Sequence, residues 1–155
     1  MRKIFVSFLI ILLYVSCNND QKQQYREEND RVNEENRKLK EEEEQRKKKD
    51  IIENIGQYLI TTPNAEVSAL GGVSNGSVSI QNTLEGVTFQ KVVVEIKIIK
   101  ENGEVYRAEV ITFKNVEAGD VQSSSFPDSQ RGTSVKSRVL RIQSLELTDG
   151  KVIDL

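Results

Sequence analysis

A mainly β, two-layer sandwich of about seven strands, set behind a long charged helix, is the fold class predicted by this 155-residue sequence. Three observations lead there. From Tyr58 onward, short runs of Val, Ile and Thr alternate with polar residues at period two, the pattern of half-buried strands. Turn residues punctuate those runs at Gly71-Gly72, Asn102-Gly103 and Asp149-Gly150. Before them, residues 20–50 carry ten Lys/Arg and eleven Asp/Glu with no Gly and no Pro, an alphabet that suits a solvated helix and no core.

At the N-terminus, Arg2 and Lys3 form a short positive region, and only Ser7 interrupts the apolar run from Ile4 to Val15. A run of about twelve is the length of a signal-peptide core, whereas a spanning helix needs roughly 20 residues. The stretch LYVSC, Leu13 to Cys17, resembles the lipobox of bacterial lipoproteins, in which small residues precede a cysteine; Tyr14 stands where leucine is usual. The resemblance implies that residues 1–16 are removed and that Cys17 carries a diacylglycerol thioether and an acylated amino group. Several acyl chains on one residue give stable anchoring, which a single chain does not. Asn18, rather than Asp, follows the cysteine, so an outer-membrane lipoprotein of the cell envelope is expected, with the side it faces left open. An ordinary secretory signal is the alternative.

Composition closes off several function classes. Without Arg2 and Lys3 the formal charge moves from −2 to −4, and no basic run with interleaved aromatics suggests nucleic-acid binding. The chain has no His and no Trp. With Cys17 its only cysteine, no disulfide forms within the chain and the usual His/Cys metal chemistry is absent, so no metal or cofactor is expected. A small exported domain of this kind rests on its hydrophobic core.

Residues 17–57 are expected to be the lipidated cysteine and a helical stalk. Acids stand four residues ahead of bases at Glu27 with Arg31, Glu34 with Lys38, Glu42 with Arg46, Glu43 with Lys47 and Glu44 with Lys48, each pair adding a few tenths of a kcal/mol. Thirty helical residues span roughly 45 Å. Tyr25, Val32 and Leu39 fall at a seven-residue spacing, with Asn29 and Asn36 four beyond the first two. A solvated single helix, a weak parallel homodimer through that coiled-coil seam, and disorder are the three readings. Ile51, Ile52, Ile55 and Leu59 read as the helix end docking on the domain, with Gly56 a stop or kink.

Residues 58–155 are expected to form the sandwich. Pro63-Asn64 reads as a break after Tyr58–Thr61, leaving Glu66 to Leu70 as a first strand, followed by Val73 to Gln81. The strongest element is a hairpin of Lys91–Ile99 and Val105–Phe113 around Asn102-Gly103, taken as a two-residue type I′ turn. That turn pairs Lys100 with Val105, Val92 with Phe113, Val94 with Ile111, Ile96 with Glu109 and Ile98 with Arg107. The Val92/Val94/Phe113/Ile111 end is then core, and Arg107 and Glu109 cover Ile98 and Ile96 at a wetter edge. Val121 to Phe126 follows as a strand, then a loop from Pro127 to Thr133. A long strand from Ser134 to Leu147 has a bulge near Val139-Leu140, and Val152-Ile153 return after the Asp149-Gly150 turn. Seven strands in about 98 residues match the size and turn spacing of an immunoglobulin-like or fibronectin-like sandwich, with a small barrel the alternative that periodicity alone does not separate from it.

The stretch from Leu70 to Ile142 also resembles a domain of lipoproteins and other envelope proteins of Bacteroidetes-type bacteria. The matching residues are Gly71-Gly72, Val78, Ile80 and Asn82, Lys91 to Ile96, Asn102 to Tyr106, Thr112 to Gly119 and Pro127 to Lys136. The Leu84-Glu85-Gly86 region and the tail after Ile142 depart from it. It implies an immunoglobulin-like sandwich related to FxLYD-type domains and brings no enzymatic activity.

No catalytic residues are assigned. Ser123, Ser124 and Ser125 have no His to serve them, and Asp120 with Asp128 as an acid–base pair, or with Glu117 as a Ca²⁺ site, competes with ordinary turn chemistry. The loop Pro127 to Thr133 is the candidate partner-binding element, with Asp128, Gln130 and Arg131 as its contact residues; the competing reading is that Asp128 and Arg131 hold the loop to a neighbouring strand. The expected function is a non-catalytic, membrane-anchored lipoprotein presenting an interaction domain to a protein or glycan partner. The alternative is a structural accessory subunit that pairs through its helix.

Overall fold

The structure, a computed structural model, describes the backbone of residues 2–155 and the side chains of residues 22–155. The expected signal segment and Cys17 lie outside the residues whose side chains are described. The chain divides into two compact units, Met1–Lys47 and Lys48–Leu155.

The first unit consists of helix α1 (Arg2–Glu53) up to Lys47. Every side chain from Lys22 to Lys47 is exposed, so the helix here rests on propensity and on pairs along its own surface. Three of the five expected pairs close: Glu34 with Lys38 (3.6 Å), Glu42 with Arg46 (4.0 Å) and Glu43 with Lys47 (2.7 Å). Arg37 adds two more, to Glu34 and Glu41. In the Glu43–Lys47 pair the hydrogen bond lowers the Glu43 pKa and raises that of Lys47. Lys48 does not reach back to Glu44; its ammonium donates to Asp149 at 3.0 Å.

The second unit starts with the last turn of α1, whose Ile51 and Ile52 pack against the core, and a 3₁₀ turn (Ile55–Gln57) that buries Ile55. Seven strands follow: β1 (Leu59–Val67), β2 (Val73–Asn82), β3 (Phe89–Ile99), β4 (Val105–Val116), β5 (Val121–Ser125), β6 (Ser134–Ser144) and β7 (Val152–Asp154). They form two antiparallel sheets, a three-stranded one in the order β1-β2-β5 and a four-stranded one in the order β4-β3-β6-β7. Val78 and Ile80 of β2 share one core with Val92, Val94, Ile96 and Ile98 of β3, Phe113 of β4 and Ile142 of β6. Each such side chain contributes about 1.5–3 kcal/mol by leaving water.

The hairpin register holds for Val92 with Phe113, Val94 with Ile111, Ile96 with Glu109 and Ile98 with Arg107. The turn itself differs. Gly103 N donates to Lys100 O and Lys100 N to Glu104 O (both 2.9 Å), with Gly103 at φ +84° and Asn102 not left-handed. This is a three-residue loop closed by a glycine bulge, which pairs Ile99 with Val105 rather than Lys100 with Val105. A second irregularity between Ile98 and Ile99 restores the expected register, so the two one-residue changes cancel.

Three further expectations are corrected. Pro63 does not end the first strand: β1 runs through it, because β1 is a sheet edge, where a missing donor can be turned outward. Ile96 and Ile98 are fully buried, not at a wet edge. Arg107 and Glu109 do lie beside them as an ion pair, but the Gly132 turn also closes over Ile98. The long last strand stops at Ser144, where the hydroxyl accepts from Leu147 N and caps a short helix α2 (Leu145–Thr148). The bulge near Val139-Leu140 is present, since Val93 pairs with Arg141 while Val94 pairs with Val139.

Candidate functional site

Strand direction brings three connections to one end of the sandwich. β1 ends at Val67 and β2 begins at Val73, so the 68–72 loop joins them there. β5 ends at Ser125 against Ser77, and Thr133 N donates to Ile99 O (2.7 Å), so the 126–133 loop and the β3–β4 turn reach the same end. The 3₁₀ turn and α2 lie at the other end, as the bonds of Thr83 N to Tyr58 O and Lys48 Nζ to Asp149 show.

The 126–133 loop is held mainly through its backbone. Val73 and Ser129 exchange both N–H···O bonds at 2.8 Å, and Gly72 N donates to Gly132 O at 2.9 Å. Ser129 is buried and its hydroxyl donates to Arg131 O at 2.7 Å. Gly132, at φ +130°, sits so close to Ile98 that an added Cβ would overlap its side chain.

The three candidate residues divide. Asp128 accepts from Asn75 N (3.1 Å), a bond that supports the left-handed Asn75 (φ +51°), whose amide donates on to Glu66 (3.0 Å). Asp128 therefore braces the loop against β2. Gln130 and Arg131 are exposed, and among the described residues the Arg131 guanidinium enters no ion pair. Of the two residues read as possible braces, only Asp128 acts as one. Beside the loop lies an open depression lined by Ser68, Gly71, Gly72, Ser74, Asp128 and Gln130.

Leu70, at the tip of the adjacent 68–72 loop, is 101 % exposed and touches nothing that shields it. Sequence reasoning assigned it to the end of a strand and missed it. The signal was there in Ala69-Leu70-Gly71-Gly72, an apolar pair running straight into two turn-forming glycines.

The other candidates stay apart. Asp120 precedes β5 and Asp128 follows it, so the strand alone, at about 3.3 Å per residue, separates them by more than about 15 Å. Ser123, Ser124 and Ser125 pair with Ser79, Val78 and Ser77 of β2. Among the described residues no three His, Cys, Asp or Glu side chains gather as a metal site. Among the described residues the displaced carboxyl pKa values all point downward: Glu43 through its hydrogen bond from Lys47, Glu95 through Arg138, Glu104 of the β3–β4 turn through Lys100, and Glu146 through the Ser144 hydroxyl. These are carboxylates held charged by their partners, the reverse of what a general acid needs.

No family model, curated protein or solved structure matches this chain. Among the described residues, no helix is long and apolar enough to cross a membrane.

Proposed function

We propose that this protein is a non-catalytic, lipid-anchored envelope lipoprotein whose β-sandwich offers its end loops to a protein or glycan partner. The observation that carries the reading is the gathering of the 68–72 loop, the 126–133 loop and the β3–β4 turn at one end of the sandwich. That end bears the exposed Gln130 and Arg131 and the bare Leu70. A backbone-braced loop with free side chains is pre-organised, which lowers the ordering cost of binding. The strand orders β1-β2-β5 and β4-β3-β6-β7 support the immunoglobulin-like reading, since they correspond to the A-B-E and C′-C-F-G sheets of fibronectin-like members. The LYVSC stretch supports lipidation at Cys17 and, with Asn18, an outer-membrane address.

Mass spectrometry of protein extracted from membranes tests the anchor. The reading expects an N-terminus at Cys17 carrying several acyl chains; an intact Met1, or an unmodified start at Asn18 or beyond, removes it.

A second reading has its own observation. Tyr25, Val32 and Leu39 are exposed at seven-residue intervals on a helix otherwise covered by charge. A second helix laid along that seam would make the chain a structural accessory subunit rather than a presenter of loops.

A further inference from the structure

A sheet edge is a row of unpaired N–H and C=O groups, and among the described residues the edges of this sandwich are guarded in all places but one. β1 carries Pro63 and an irregularity between Asn64 and Glu66. β5 has only five residues and β7 three. The stretch of β6 beyond its pairing with β7 lies beside β1, where Ser137 Oγ donates to Thr61 Oγ1 at 2.9 Å. That leaves β4, twelve residues at the outside of the four-stranded sheet, with no proline.

Side-chain bonds show which backbone groups of β4 face outward. Gln122 Nε2 donates to Lys114 O at 3.2 Å and Asn82 Nδ2 to Val116 O at 3.1 Å, so the even-numbered residues turn their carbonyls away from β3. Backbone direction alternates along a strand, which leaves Ala108, Val110 and Thr112 with both groups open. This window is closed at both ends. Gln122 holds the Lys114 carbonyl at one, and at the other Tyr106 is an extra residue between the pairs Ile99–Val105 and Ile98–Arg107. The middle of the window is Val110, 59 % exposed, with Ala108 and Thr112 exposed on either side, so the row carries no charge.

We infer that this edge pairs with the same edge of a second copy of the chain, antiparallel about a two-fold axis at Val110. Val110 then meets its counterpart, Ala108 of each copy meets Thr112 of the other, and the three pairs exchange about six hydrogen bonds. The occupant follows from the symmetry of the window: two copies stop at the same places, whereas a longer foreign strand overruns the bulge and the Gln122 cap. Other centres fail. One at Ala108 sets Val110 against the bulged Tyr106, one at Glu109 sets two carboxylates side by side, and one at Ile111 runs onto Lys114, whose carbonyl is taken. At Val110 the Arg107–Glu109 ion pair stays within each copy. Such a contact is small beside the roughly 1,200 Å² or more of a stable interface, so the chain is monomeric when dilute and pairs when concentrated. The inference does not depend on the lipid anchor or on the end loops.

Disulfide trapping of concentrated full-length protein in a neutral detergent tests it. In the pair the two Val110 Cα atoms stand about 5.5 Å apart, within the roughly 4.4–6.8 Å that a disulfide spans. Ala108 and Thr112 each lie more than about 12 Å from their own counterparts. Mild oxidation of Val110→Cys gives a disulfide dimer about tenfold or more above the parent, whose one cysteine, Cys17, reads the background. Ala108→Cys and Thr112→Cys each stay at the background alone and link when the two proteins are mixed. Adding Val110→Lys to both members of that mixture brings two ammonium groups together at the axis and removes the link. Circular dichroism melts confirm that the variants are folded. No dimer from Val110→Cys, equal yields from Ala108→Cys or Thr112→Cys alone, or a mixed link indifferent to Val110→Lys would each overturn the inference. So would an adduct of Val110→Cys to a different protein in place of the dimer when intact cells are oxidised, which would assign the edge to a foreign strand.

Discussion

The buried Asn82 side chain donates to Val116 O at 3.1 Å, tying the end of β2 to the end of β4 in the opposite sheet. The same amide donates to Val87 O at 2.9 Å, and its oxygen accepts from Leu84 N at 3.0 Å. Its backbone carbonyl also accepts from Gly119 N. One asparagine therefore organises the β2–β3 connection and the β4–β5 turn together. Asn82→Ala leaves three backbone groups unpaired and is expected to cost about 2–4 kcal/mol. Urea denaturation measures this; a loss below about 0.5 kcal/mol would mean water replaces the side chain freely.

Gly76 lies against the ring of Phe126, and a Cβ added at Gly76 would fall within that ring. Gly76→Ala is expected to destabilise by about 2 kcal/mol or more through overpacking. In the Phe126→Leu background the same change should cost distinctly less, because the ring it strikes is gone. A double-mutant cycle with no coupling would show that the two do not meet.

Stability should decline on the acid side. Glu95, Glu104 and Glu146 each have a folded pKa below the ordinary 4.5, Glu95 chiefly through the Arg138 hydrogen bond. A depressed carboxyl pKa stabilises the fold above the unfolded value, and that contribution is lost as pH falls through the folded value. Glu95→Gln should therefore lower the unfolding midpoint at pH 7 and converge with the parent well below pH 4.5. A gap that persists at low pH would assign the loss to packing instead.

Helix α1 between Lys22 and Lys47 is coated with charge, so the chain is expected to stay monomeric in dilute detergent solution by light scattering. Val32→Asp with Leu39→Asp should change neither its mass nor the unfolding of the sandwich. Concentration-dependent dimerisation abolished by that pair would instead establish the seam as an interface.

Much of the architecture was legible because it is local. Period-two alternation and Asn102-Gly103 together located the central hairpin, and a phase change at Val139-Leu140 marked a bulge that is present. What escaped depends on distant neighbours. Pro63 is compatible with a strand only because β1 is an edge, and Ile98 is dry partly because Gly132 closes over it. The alternation in Ser144-Leu145-Glu146-Leu147 reads equally as strand; the Ser144 cap and the Thr148 hydroxyl, bonded to Ser144 O at 2.8 Å, settle it as a helical turn. At the candidate site the loop was visible in its turn residues. The division of labour between Asp128 and Arg131 was not, since it rests on the left-handed Asn75 some fifty residues earlier in the chain.

Site-specific photo-crosslinking in intact cells tests the central claim most directly. A photoreactive side chain is placed in turn at Leu70, at Gln130 and at Glu85, the last in the β2–β3 connection at the opposite end of the sandwich. The account predicts one discrete adduct shared by positions 70 and 130, lost on Arg131→Glu, and absent at position 85. Adducts at position 85 alone, or an adduct at 130 that survives Arg131→Glu unchanged, would contradict the assignment of the loop end as the binding surface.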